Sequence, residues 1–166
     1  MATNTFVVWK KVTLGTRHSA DEYRQALARK GMGIIPTADE LLGRCEPLIY
    51  KRKTEAKLAL CSVAGLGFKK PAIYEDICAR AKGFGLKLCP SEVGPALREQ
   101  YTNQRRNEWL TVAMKANPDG VHGFTGLFAL TCSEGKRWLE VDPAHPSSSY
   151  LLRDRFLFRL SEEGHD

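Results

Sequence analysis

The chain reads as an α+β protein, with three or four helices packed on an antiparallel sheet of about four or five strands and a C-terminal β-meander. Three observations predict this class. Helical periodicity and helix-start signals lie before Asn107, β-branched and aromatic runs dominate after it, and the gaps between those later runs suit short turns better than crossover helices.

Taken in order, Thr5 to Leu14 mixes β-branched and aromatic residues and predicts a strand. Ser19-Ala-Asp-Glu22 has the form of a capping box, where the hydroxyl accepts a backbone N–H and the glutamate reaches back toward the cap. A helix follows, with Tyr23, Ala26 and Leu27 on one face and Gly31 as its stop. Thr37-Ala-Asp-Glu40 repeats the device before Leu41 and Leu42 and predicts a second, short helix. Arg44 to Lys57 is a basic connection. The run Ala56 to Ala64 is open between helix and buried strand, and the alternation of Leu58, Leu60 and Ser62 with small residues favours the strand.

Ile73 to Lys82 carries Ile73, Tyr74, Ile77, Cys78 and Ala81 at helical spacing, with Glu75 and Asp76 in the first turn, where the helix dipole favours negative charge. A further helix begins near Ser91 or Pro95 and runs through Tyr101, with Val93, Leu97 and Tyr101 on one face. After Asn107, strands are predicted at Trp109–Met114, Phe124–Cys132, Arg137–Val141 and Arg155–Leu160. Asn117–Gly120 and Ser133–Lys136 are the turns between the first three. With 166 residues, one domain accounts for the whole chain.

Composition excludes several classes. The chain is 43% hydrophobic and 27% charged, which fits a packed protein and not a disordered one. No run approaches the ~18 apolar residues of a membrane helix. The apolar stretch Phe6–Trp9 precedes its basic residues, opposite to the order of a signal peptide, so a cytoplasmic protein without a membrane partner is expected. Five dispersed cysteines without a C-x-x-C pair imply reduced thiols. No histidine stands at metal-ligand spacing from another histidine or a cysteine, and Gly65-Leu-Gly67-Phe-Lys-Lys70 matches neither phosphate-binding glycine pattern. No metal or cofactor is therefore expected.

Charge is the informative property. The formal +6 divides into +2 on residues 1–43, +7 on 44–106 and −3 on 107–166. A basic helical segment suits an acidic partner, nucleic acid or an acidic protein. Its candidate contacts are Lys69, Lys70, Arg98, Arg105 and Arg106. The two middle helices resemble a helix-turn-helix in outline, the second ending in Arg98-Glu-Gln-Tyr-Thr-Asn-Gln-Arg-Arg106. Their connection, Gly83 to Pro90, is longer than the three or four residues that motif uses. The competing explanation is a solvated polar face. Aromatics between arginines, as in Arg155-Phe-Leu-Phe-Arg159, could stack bases but fit a half-buried strand better.

Two alternatives remain. One is a protein-interaction or homo-oligomeric module using a sheet edge or apolar patch. The other is a small enzyme in which Cys132, His122, Asp142 and His145 converge at one end of the meander. The adjacent acidic pairs Asp21-Glu22, Asp39-Glu40 and Glu75-Asp76 all fall in helix first turns, where capping accounts for them.

The stretches Leu66 to Lys82 and Leu88-Cys-Pro-Ser-Glu-Val-Gly-Pro-Ala-Leu-Arg98, followed by Glu108-Trp109-Leu110 and the closing Asp154-Arg-Phe-Leu-Phe158, resemble a group of small uncharacterised bacterial proteins. The likeness spans about half the chain, and the Leu88–Arg98 run is its most specific part. It implies no activity and transfers no functional residue. It does imply that residues 66–110 form one integral unit, with Cys89, Pro90 and Gly94 at a defined turn.

Overall fold

A computed structural model describes residues 6–115 and 126–161. The expected turn at Asn117–Gly120, the start of the strand expected at Phe124, and His122 lie outside the described residues. In chain order the elements are β1 (Lys10–Leu14), α1 (Ala20–Arg29), β2 (Gly33–Ile34), α2 (Pro36–Arg44), β3 (Thr54–Ser62), β4 (Ala72–Ile73), α3 (Tyr74–Gly83), β5 (Leu86–Lys87), α4 (Val93–Gln100), β6 (Trp109–Val112), β7 (Leu127–Ser133), β8 (Lys136–Asp142), β9 (Ser149–Tyr150) and β10 (Arg155–Leu160). Short 3-10 turns occupy Glu46–Leu48 and Ala64–Leu66.

The α+β class and the helix number agree with expectation, while the sheet is larger and mixed. It has eight strands, ordered β1-β3-β10-β6-β7-β8-β2, with β5 pairing the end of β10; β4 and β9 form a separate pair. The meander is real for β6, β7 and β8, which are antiparallel neighbours. The fourth expected member, β10, leaves it and inserts between β3, to which it is antiparallel, and β6, to which it is parallel. Phe156, Leu157 and Phe158 are all buried, so this strand has apolar groups on both faces and needs a central position covered on both sides. The outer edge of β8 is occupied instead by the two-residue β2.

Side-chain alternation divides the core into two clusters on opposite faces of the sheet. On one face Leu58, Leu110, Val112, Phe128 and Leu157 pack with Tyr23 and Leu27 of α1, Leu42 of α2 and Val93 and Leu97 of α4. On the other, Ala59, Cys61, Phe156 and Phe158 pack with Ile77 and Ala81 of α3. Helices α3 and α4 therefore sit on different faces, with β5 between them in the chain. They do not form a helix-turn-helix.

The two capping signatures are only partly realised. Ser19 caps α1, its Oγ accepting from Glu22 N at 3.0 Å, but the Glu22 carboxylate takes the N–H of His18, one residue before the cap. At α2 the Thr37 box is unused. Ile34 pairs with Leu139 and the Ile35 N–H donates to Leu139 O, so the chain passes directly from strand to helix with Pro36 in the first turn and no side-chain cap. Asp39 is turned instead toward α1, where its carboxylate accepts from Arg24 Nε at 2.5 Å. The ambiguous run Ala56 to Ala64 is strand through Ser62.

Candidate functional site

The α4–β6 loop carries Arg105, Arg106 and Asn107 into the start of β6, and Trp109 opens that strand with 46% of its surface exposed. Trp109 and Thr111 share a face by strand alternation, and the indole N–H donates to Thr111 Oγ1 at 3.0 Å, which fixes the ring. The ring borders a cleft of about 440 Å³ whose other walls include Asn107, Asp142, Tyr150, Arg153 and Arg155.

The carboxylates around this cleft are engaged within the protein. Asp142 Oδ1 accepts from the Tyr150 hydroxyl at 2.9 Å and from Ala144 N at 2.9 Å. It thereby holds a turn in which Ala144 has φ +50°, a conformation costly for a residue with a Cβ. Asp154 Oδ2 accepts from Leu151 N at 2.8 Å. Glu108 accepts from the Tyr101 hydroxyl at 2.9 Å and pairs with Arg155 at 3.4 Å. Burial, then the hydrogen bond to Glu108, pushes the Tyr101 phenol up to about 12. Burial and the Asp142 charge push the Tyr150 phenol up as well.

The cations point outward. Arg105, Arg106 and Arg153 are exposed, and among the described residues none has a carboxylate partner. Lys69 and Lys70 are exposed too and lie just before β4, whose Ala72 pairs with Tyr150 of β9. That pairing brings the lysine pair toward the turn bearing Arg153. Four of the five cations expected to meet a partner are thus on the surface.

Arg98 is the exception. It is fully buried, so it cannot contact a partner in this fold. Its Nη1 donates to Gln104 Oε1 at 2.5 Å and to Thr131 O at 3.1 Å, and its Nη2 donates to Tyr101 O at 2.7 Å. The guanidinium ties α4 to the loop after it and to β7. Burial, with the nearby Arg137 charge second, lowers its pKa to about 10. Its neighbour Glu99 is buried as well and holds Arg17 at 2.6 Å, so this face of α4 is interior and not solvated.

Of the residues considered for an enzyme site, Cys132 and Asp142 lie far apart. Cys132 lies opposite Arg137 and Asp142 opposite Leu127 in the β7–β8 ladder, which puts about 17 Å of strand between the cysteine and the aspartate. His145 sits in an exposed turn with its Nδ1 2.8 Å from Ser147 Oγ. Catalytic groups must lie within hydrogen-bond reach, so Cys132 and Asp142 cannot form one site. Cys89 lies not at a turn but in an isolated parallel bridge to Met114, and Gly94 is inside α4; Cys89 is buried, and burial pushes its thiol up to about 12, away from the reactive thiolate. Among the described residues, no group of three or more His, Cys, Asp or Glu side chains could hold a metal. No helix among them is long and apolar enough to cross a membrane.

The residues that sequence reasoning missed are Trp109, Thr111 and Arg153. A usable signal was present, since Arg105-Arg-Asn-Glu-Trp109 places an aromatic directly after a basic loop. A tryptophan opening a strand is usually assigned to the core, and only the packing shows this one open to solvent. The fold and this site describe an α+β protein with a cleft at one end of a mixed sheet that holds an exposed tryptophan, two arginines and two aspartates. No family model, curated protein or solved structure matches the chain.

Proposed function

We propose that this protein is a non-catalytic binding module for an acidic partner, with single-stranded nucleic acid the first candidate. The observation that carries the reading is the open Trp109 ring, held by Thr111 in a cleft that also holds the exposed Arg153, with Arg105 and Arg106 exposed in the preceding loop and the neighbouring carboxylates bonded internally. An indole face accepts any base by stacking, and arginines and lysines around it track the phosphates. Arg105 and Arg106 are exposed in the loop before the ring, and Arg153 lines the same cleft. The basic segment of the chain contributes through its loops, not through a recognition helix.

Fluorescence anisotropy with a labelled single-stranded oligonucleotide, over a series of salt concentrations, tests this reading. Binding is expected at low salt, with log K falling by roughly 0.7 per neutralised phosphate for each unit of log salt. Absence of binding to DNA and RNA at low salt ends the nucleic-acid reading. Salt-dependent binding to polyglutamate with none to oligonucleotides moves the partner to an acidic protein.

A further inference from the structure

The parallel strands β6 and β10 have their first residues at the Trp109 cleft. A second cleft opens at their far ends, where Arg159 lies near the end of β10 and Met114 and Lys115 follow β6. Its volume is about 710 Å³, within the range of small-molecule sites. The remaining wall comes from the end of α2, the Glu46–Leu48 turn and the segment joining β5 to α4.

Two properties of the lining point to one kind of ligand. The walls include Leu48, Leu88, Met114 and the thiols of Cys45 and Cys89, and the two leucines, 63% and 41% exposed, leave apolar surface open beside the cleft. The charged groups in the lining are Arg44, Lys115 and Arg159, with no carboxylate among them. Arg44 also holds Glu40 at 3.5 Å, whereas Lys115 and Arg159 have no salt-bridge partner among the described residues.

We infer that this cleft binds a small carboxylate with an apolar tail. The tail lies along Leu48, Leu88 and Met114, and the carboxylate meets Lys115 and Arg159. A neutral apolar ligand would leave the cations unused, and an apolar cation would be repelled by them. The inference does not depend on the nucleic-acid reading, since the two clefts share no residue.

Dodecanoate, below its micelle concentration, is the probe, with dodecyltrimethylammonium as the charge-reversed control. Titration calorimetry on the full chain should give one saturable dodecanoate site and no matching site for the ammonium compound. The methyl resonance of Met114, one of three methionines, should shift on binding. Lys115→Glu/Arg159→Glu should weaken dodecanoate at least about tenfold through lost charge complementarity. Leu48→Asp, at an exposed position that does not endanger folding, should weaken it as well and leave oligonucleotide binding at wild-type strength. Equal affinity for the two surfactants, an unmoved Met114 methyl, or dodecanoate affinity unchanged in the charge-reversal variant would each overturn the inference.

Discussion

Gln100 supplies Thr13 with both hydrogen bonds of an absent neighbouring strand: its Oε1 accepts from Thr13 N at 2.9 Å and its Nε2 donates to Thr13 O at 2.8 Å. Thr13 lies on β1, an edge of the large sheet. An unpaired edge recruits other chains, and here the last residue of α4 closes it. Gln100→Ala is expected to cost about 1–2 kcal/mol, because both backbone groups lose their partner. Light scattering should show more self-association than in the wild type. A strictly monomeric variant of unchanged stability would show that water replaces the amide at no cost.

Glu92 is 1% exposed and accepts three N–H or O–H donors: Gly15 N at 2.7 Å, Tyr50 N at 2.8 Å and the Tyr23 hydroxyl at 2.5 Å. It joins the end of β1, the first turn of α1 and the segment before β3 to the start of α4. Glu92→Gln introduces an NH2 group facing donors and should lower stability by about 2–3 kcal/mol. Tyr23→Phe removes one donor and should cost less. Urea denaturation of both variants measures the order.

Helix α4 crosses β7 so closely that a Cβ on Gly94 would overlap the Phe128 ring and its Cβ. Phe128 is fully buried and has no room to yield. Gly94→Ala should therefore destabilise the fold by about 1–3 kcal/mol, although alanine is the better helix former. A melting temperature at or above the wild-type value would show that the helix moves off the sheet freely.

Stability should fall in alkaline solution. Burial raises Cys61 to about 11 and Cys89 to about 12, and burial with the Glu108 hydrogen bond raises Tyr101 to about 12. In the unfolded chain these groups ionise nearer 9 for the thiols and 10 for the phenol. Between the two values the unfolded state has lost protons that the folded state keeps, so folding stability declines as pH rises. Each group contributes a slope of up to about 1.4 kcal/mol per pH unit within its window. Chemical denaturation from pH 8 to about 11.5 should show a decline that steepens above about pH 9. A flat profile would mean that these side chains reach water in the folded state.

Trp109 and Thr111 can be separated experimentally. Trp109→Ala should weaken oligonucleotide binding by about 1–3 kcal/mol per stacked base. Thr111→Val keeps the volume but frees the indole, so it should weaken binding by less and broaden the tryptophan fluorescence response. Arg105→Ala and Arg106→Ala should each reduce the salt slope, by roughly 0.7 per lost phosphate contact. Oligonucleotide binding unaffected by all four substitutions would put the contact elsewhere.

The elements whose signal was local were legible. The Ser19 cap, the periodic face of α3, the alternating Ala56–Ser62 run and the closing strand Arg155–Leu160 all appear where their patterns put them. Two-residue strands such as β2 and β5 carry no period and could not be read. Of the candidate contacts, Lys69, Lys70, Arg105 and Arg106 are on the surface, and Arg98 is not. An arginine at the end of a helix looks solvated in sequence, because the acceptors that make its burial tolerable come from Gln104, Thr131 and Tyr101.

The sequence by itself determined the helices and the longer strands, and that the middle of the chain is basic and the late chain slightly acidic. It did so because periodicity, caps and turns act over a few residues. Tertiary structure alone decided that β10 lies between β3 and β6, that α3 and α4 sit on opposite faces, and that Arg98 is inside while Trp109 is outside. These outcomes depend on which surfaces meet across the sheet. A pattern can mark a face as apolar, but its partner is selected by shape and by the hydrogen bonds left to satisfy.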